Sequence, residues 1–104
     1  ELEPLKVDKH LSFVARQKSL DMMNNDYFAH ESPTYGSVAE MFAHFDVSYM
    51  AAGENIALGY TSPSAVVNAW MDSEGHRRNI LNSSYTHIGV GYESDFWTQS
   101  FIGN

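Results

Sequence analysis

A chain of 104 residues, 43% hydrophobic and 18% charged, carries apolar material for one core and is too short for two. Thirteen acidic residues against six Lys and Arg give a formal charge of -7, which repels nucleic-acid phosphate and disfavours an anionic membrane surface. The lack of cysteine excludes disulfides, thiolate zinc sites and thiol nucleophiles, and no stretch nears the roughly 20 apolar residues that span a bilayer. The chain opens at Glu1 without a basic and apolar leader and without Met, and is read as a mature or excised piece.

From Val7 to Asn25, Leu11, Val14, Ala15, Met22 and Met23 recur at helical spacing, with Lys9, Arg16, Lys18 and Asp21 interleaved. One long amphipathic helix is expected there. Ser32-Pro33 breaks the pattern, which leaves His30 in a loop just past the helix end. Ser37 and Glu40 have the spacing of a capping box, with Met41, Phe42 and Phe45 as the apolar face of a second helix. Val47 to Ala52 reads as strand or irregular chain, and with Gly53-Glu54-Asn55-Ile56-Ala57 after it a strand is expected to run toward Glu54. Ser62-Pro63 starts a third helix with Val66, Val67, Trp70 and Met71 on its buried stripe, ending near Ser73 with Gly75 as a left-handed terminator. One further helical turn is expected at residues 77–81. The β-rich runs at residues 87–93 and 96–102, joined by Ser94-Asp95, predict an antiparallel hairpin. Three helices ahead of a terminal hairpin point to an α+β domain with helices covering the sheet.

Several chemistries lack their residues. His30-Glu31 is followed by Ser32-Pro33, so the second histidine of a zincin helix is missing, and there is no nucleophile elbow, phosphate loop or dinucleotide fingerprint. What stands at element ends is His30, Glu54, Asp72, Glu74 and His76. Imidazole and carboxylate are ligands that zinc accepts, so this set can hold a divalent cation if the fold gathers it. Each residue has a plain structural alternative: a hydrogen-bonded histidine, a turn carboxylate at Glu54, a solvated helix end at Asp72 and Glu74. Arg77 and Arg78 read as a pair bonding nearby carboxylates or carbonyls, and Trp70 and Trp97 as core.

The ordered set Tyr27-Phe28-Ala29-His30, Gly53-Glu54-Asn55-Ile56-Ala57, Trp70 to Ser73, Gly75-His76-Arg77-Arg78-Asn79-Ile80-Leu81 and Ile88-Gly89-Val90-Gly91 resembles the CAP superfamily of cysteine-rich secretory proteins, antigen 5 and pathogenesis-related proteins. It is most similar to the cysteine-free bacterial branch. The resemblance covers about Leu5 to Gly103 and implies a single CAP/SCP-like domain over residues 1–104, trimmed at its N-terminus. It implies a three-layer α-β-α sandwich with a small antiparallel sheet and a large cleft. It also implies that His30, Glu54 and His76 face that cleft, with a divalent metal, most often zinc, on His30 and His76. The family's second acid falls at Ser73 here, so Asp72 or Glu74 substitutes for it, or the site is a triad.

Two functions follow from the resemblance. One is a secreted or envelope-associated binding module whose cleft, tuned by metal, grips an extracellular peptide, glycan or lipid. The alternative is a metal-dependent, peptidase-like hydrolase with Glu54 as general base. The first is preferred because the family has varied roles and no shared catalysis.

Overall fold

Asp8 opens the first long helix by accepting a hydrogen bond from the Leu11 amide at 2.8 Å, and Asp26, in the left-handed region at φ 53°, closes it. The structure, a computed structural model, describes residues 2–104. Its elements run β1 (Lys6–Val7), α1 (Lys9–Asn25), α2 (Val38–His44), β2 (Ala51–Leu58), α3 (Pro63–Met71), α4 (Glu74–Ile80), β3 (His87–Glu93) and β4 (Phe96–Gly103). The capping box of α2 is complete, Ser37 Oγ accepting from the Glu40 amide and Glu40 Oε1 accepting from the Ser37 amide. Ser62 and Pro63 start α3 as the sequence predicts.

The strand expected through Glu54 is present, from Ala51 to Leu58, and residues 47–50 are irregular. One expectation needs correction. Gly75 terminates nothing: α3 stops at Met71, Asp72 caps it in right-handed geometry, and Gly75 lies in the first turn of α4 without a positive φ. Extended backbone at Ser73 (φ -107°, ψ 121°) separates the two helices. The turn expected at residues 77–81 is therefore part of a helix that starts at Glu74.

The sheet order is β1-β3-β4-β2, with β4 antiparallel to both neighbours and the short β1 parallel to β3. Ser94 and Asp95 join β3 to β4 with φ of 47° and 67°, as a two-residue hairpin turn of matching twist requires. Alternation along β4 divides the core. Ile102 meets Leu11, Val14, Met41 and Phe42 from α1 and α2, whereas Trp97 and Ala57 meet Val66, Trp70 and Ile80 from α3 and α4. Helices thus cover both faces of the sheet, giving the expected α-β-α layers.

Helix α1 sits very close to the sheet. A Cβ at Gly89 or Gly91 would fall 2.2 or 2.3 Å from backbone atoms of Leu11 or Arg16. Lys18, seven residues after Leu11 and four before Met22, and Asp21, seven after Val14, lie on the same face of α1 as its apolar residues, and they are 1% and 7% exposed.

The glycines give a paired prediction. Gly91→Ala must push α1 off the sheet and lowers unfolding free energy by about 1–3 kcal/mol. Gly75→Ala has open space in a helix and is neutral or raises stability by about 0.4–1 kcal/mol. Chemical denaturation of both variants measures the contrast, and equal stabilities would contradict the close seating.

Candidate functional site

The segment between α1 and α2 carries His30 and is held by buried charges of α1. Asp21 accepts from Tyr27 Oη at 2.5 Å, Ser32 Oγ at 2.6 Å, Thr34 Oγ1 at 2.6 Å and Asn25 Nδ2 at 2.7 Å. Burial alone would raise the Asp21 pKa, but the bonds from Ser32, Thr34, Tyr27 and Asn25 outweigh it and hold the carboxyl below its ordinary value. Burial and the bond to Asp21 push the Tyr27 hydroxyl up. Lys18 Nζ donates to the His30 carbonyl at 2.6 Å. Burial lowers the Lys18 pKa, against the opposing fields of Glu54, Asp21 and Glu31.

Strand β2 carries the acid. Glu54 pairs with Ser100 on the sheet face that meets α1, and its side chain is 3% exposed. His30 Nδ1 lies 2.8 Å from Glu54 Oε1, while the rest of its ring stands 57% exposed. A carboxylate can only accept, so Nδ1–H donates, and in the neutral ring this tautomer leaves the Nε2 lone pair free.

Helix α4 brings the second histidine. Ser73 occupies its N-cap position but makes no capping bond to the backbone; its Oγ lies 2.8 Å from His76 Nδ1 instead. When that hydroxyl accepts from Nδ1–H, His76 also presents a free Nε2. Burial lowers the His76 pKa, and the neighbouring His30 lowers it further. Both effects favour the neutral ring. An amide network ties α4 to β2: Asn55 Nδ2 donates to the His76 carbonyl and to Gln99 Oε1, both at 3.1 Å. Asn79 Nδ2 donates to Asn55 Oδ1 at 2.8 Å and to the Glu54 carbonyl at 3.1 Å.

Beside His76 lies an open cleft of about 290 Å³ walled by Phe28, Leu58, Tyr60, Trp70 and Ser73. A larger cavity of about 520 Å³ is formed by residues 2–6 with Tyr85, Thr86, His87 and others, and includes none of His30, Glu54 and His76. The structure thus joins His30 to Glu54 and sets His76 on the cleft wall. It does not bring Asp72 or Glu74 to them. Asp72 is the exposed cap of α3, and Glu74 pairs with Arg78 at 3.3 Å with both side chains largely exposed. Among the described residues, no group of three or more His, Asp or Glu side chains is arranged to hold a metal. Two imidazoles can ligate a cation, with water or a bound molecule completing the shell. The resemblance put Ser73 at the position of the family's second acid without giving its hydroxyl a role, although its spacing of three from His76 within one helical turn was a usable signal.

A mixed sheet between two helical layers is the α-β-α sandwich of SCP-domain structures. The family description "CAP: Cysteine-rich secretory protein family" matches residues 1–102, and the chain belongs to that family. It is 58% identical over 98% of its length to the uncharacterized protein YkwD of Bacillus subtilis, and 45% identical over 97% to the uncharacterized membrane protein YlbC of the same organism. It spans only 40% and 29% of those relatives. An extracellular Bacillus anthracis protein containing an SCP domain superposes with a TM-score of 0.96 at 41% identity, over 99% of this chain and 35% of that one. An outer surface protein of Borrelia burgdorferi shares the fold at a TM-score of 0.86 and 23% identity, over 99% of this chain and 80% of that one.

Two measurements test this anatomy. Asn79→Ala leaves Asn55 Oδ1 and the Glu54 carbonyl without their donor and lowers stability by about 1–3 kcal/mol in denaturant unfolding; wild-type stability would contradict the network. Because the folded Asp21 carboxyl titrates below its ordinary 3.8, its contribution is present above that value and is lost as pH falls through the folded pKa. Unfolding measured between about pH 5 and pH 2 should show a shallower acid decline in Asp21→Asn than in wild type, and parallel curves would refute the assignment.

Proposed function

We propose that this CAP domain is the ligand-binding module of a protein exported to the bacterial envelope or beyond, and that its cleft holds one divalent metal, most readily zinc, on Nε2 of His30 and His76. The observation that carries the reading is the shared wiring of the two rings. Each Nδ1 is engaged by a fixed partner, Glu54 or Ser73, which leaves the outer nitrogen of each ring for a ligand. Bound metal would supply a positive Lewis-acidic centre with open positions. The apolar wall of Phe28, Leu58, Tyr60 and Trp70 beside it would contact the hydrophobic part of an extracellular peptide, glycan or lipid.

Glu54 favours binding over hydrolysis. Its carboxylate is buried and committed to His30, the arrangement of an orienting group rather than of a base that takes a proton from water. The extracellular or surface location stated for the Bacillus anthracis and Borrelia proteins supports export of this chain as well.

Calorimetric titration with zinc at neutral pH tests the metal site. Wild type should bind one equivalent, and His30→Ala and His76→Ala should each weaken binding by about tenfold or more. No binding by wild type, or equal affinity in all three proteins, would overturn the proposal.

A further inference from the structure

Lys18 and Asp21 stand one turn apart on α1 and are almost fully buried, yet neither belongs to the cleft just described. Buried charges are rare unless they are paired. No carboxylate lies within ion-pair distance of Lys18 among the described residues, and its direct hydrogen bond goes to the backbone carbonyl of His30. Lys18 stands one helical turn from the buried Val14 and Met22 on the same face of α1, a position that a purely apolar side chain would suit, so burial alone gives no reason for an ammonium. Asp21 takes donors from both sides of His30 in the chain: Tyr27 before it, Ser32 and Thr34 after it. Ser32 Oγ also accepts from the amides of Thr34 and Tyr35, so the return of the segment is fixed from the same carboxylate.

The His30 ring needs this support. It is largely exposed, and its one side-chain bond, to Glu54, can form only if the backbone presents the ring at the right height over β2. We propose that Lys18 and Asp21 are positioning residues that clamp the chain at residues 27–34 and thereby hold His30 in the orientation that frees Nε2 toward the cleft. This rests on the reading of His30 as a ligand. Pre-ordering the segment lowers the entropy lost when the ligand binds, so the clamp sets affinity without touching the bound species.

The test uses Lys18→Met, which keeps the length and apolar stem of the side chain, and Thr34→Val, which removes one exposed donor to Asp21. Long-range proton–nitrogen NMR of the metal-free proteins reads the His30 tautomer, amide hydrogen exchange reads residues 28–34, and zinc titration reads affinity. A folded Lys18→Met protein should lose the single Nδ1–H signature of His30, exchange its segment amides about tenfold faster, and bind zinc about tenfold more weakly. Thr34→Val should move the same signals in the same direction by a smaller amount, and it decides the matter if Lys18→Met does not fold. A wild-type His30 signature and unchanged exchange in the deciding variant would overturn the clamp. Failure of wild type to bind zinc would overturn the metal reading instead, while the metal-free spectra still judge Lys18 and Asp21.

Discussion

The buried charges of α1 are the constraint on which the site depends. Lys18 and Asp21 lose water when α1 settles on the sheet, and bonds to the following segment replace it. That exchange works only at the present helix-to-sheet distance, which Gly89 and Gly91 allow by offering no side chain toward α1. Sequence, packing and site are therefore linked in one direction. Two glycines let the helix approach, the approach buries the charges, and the charges dictate the course of the chain that bears His30.

The other wall of the cleft is built on the free edge of the sheet. Among the described residues no strand lies beyond β2, and its carbonyls at Ala52, Glu54 and Ile56 accept from Tyr85 Oη, Asn79 Nδ2 and Trp70 Nε1. These bonds satisfy an edge that would otherwise invite another strand, and they dock α3, α4 and the chain before β3 against it. His76 reaches the cleft through this docking, with Asn55 holding its carbonyl. Each histidine is thus fastened through its backbone by a buried side chain from a neighbouring element, Lys18 in one case and Asn55 in the other.

What could be read from the sequence was local. The spacing in α1, the Ser37–Glu40 box, Ser62-Pro63 and the Ser94-Asp95 turn each satisfy their own backbone groups within a few residues, so their signals survive without knowledge of the fold. Gly75 shows the limit of such reasoning. A glycine tolerates either hand of helix, and the choice here falls to the tie between α4 and β2, a long-range contact with no local trace. Lys18 and Asp21 fall on the apolar face of α1 by their spacing, but the pattern carries no trace of the later segment whose groups they bond. Of the candidate site, the family resemblance singled out His30, Glu54 and His76 and marked Ser73 as the place of a missing acid, whereas the bond between its hydroxyl and the His76 imidazole emerged only from the structure.

On the proposed reading, His30 held at Nδ1 by Glu54 and His76 held at Nδ1 by Ser73 share one cation through Nε2, beside the apolar wall of the cleft that His76 lines. The most direct measurement is an anomalous-difference map from crystals soaked in zinc. The account predicts one peak shared by Nε2 of His30 and His76 at about 2.0–2.1 Å from each, with Glu54 still on His30 Nδ1. Separate peaks, a peak on Glu54, or no peak at either ring would contradict it.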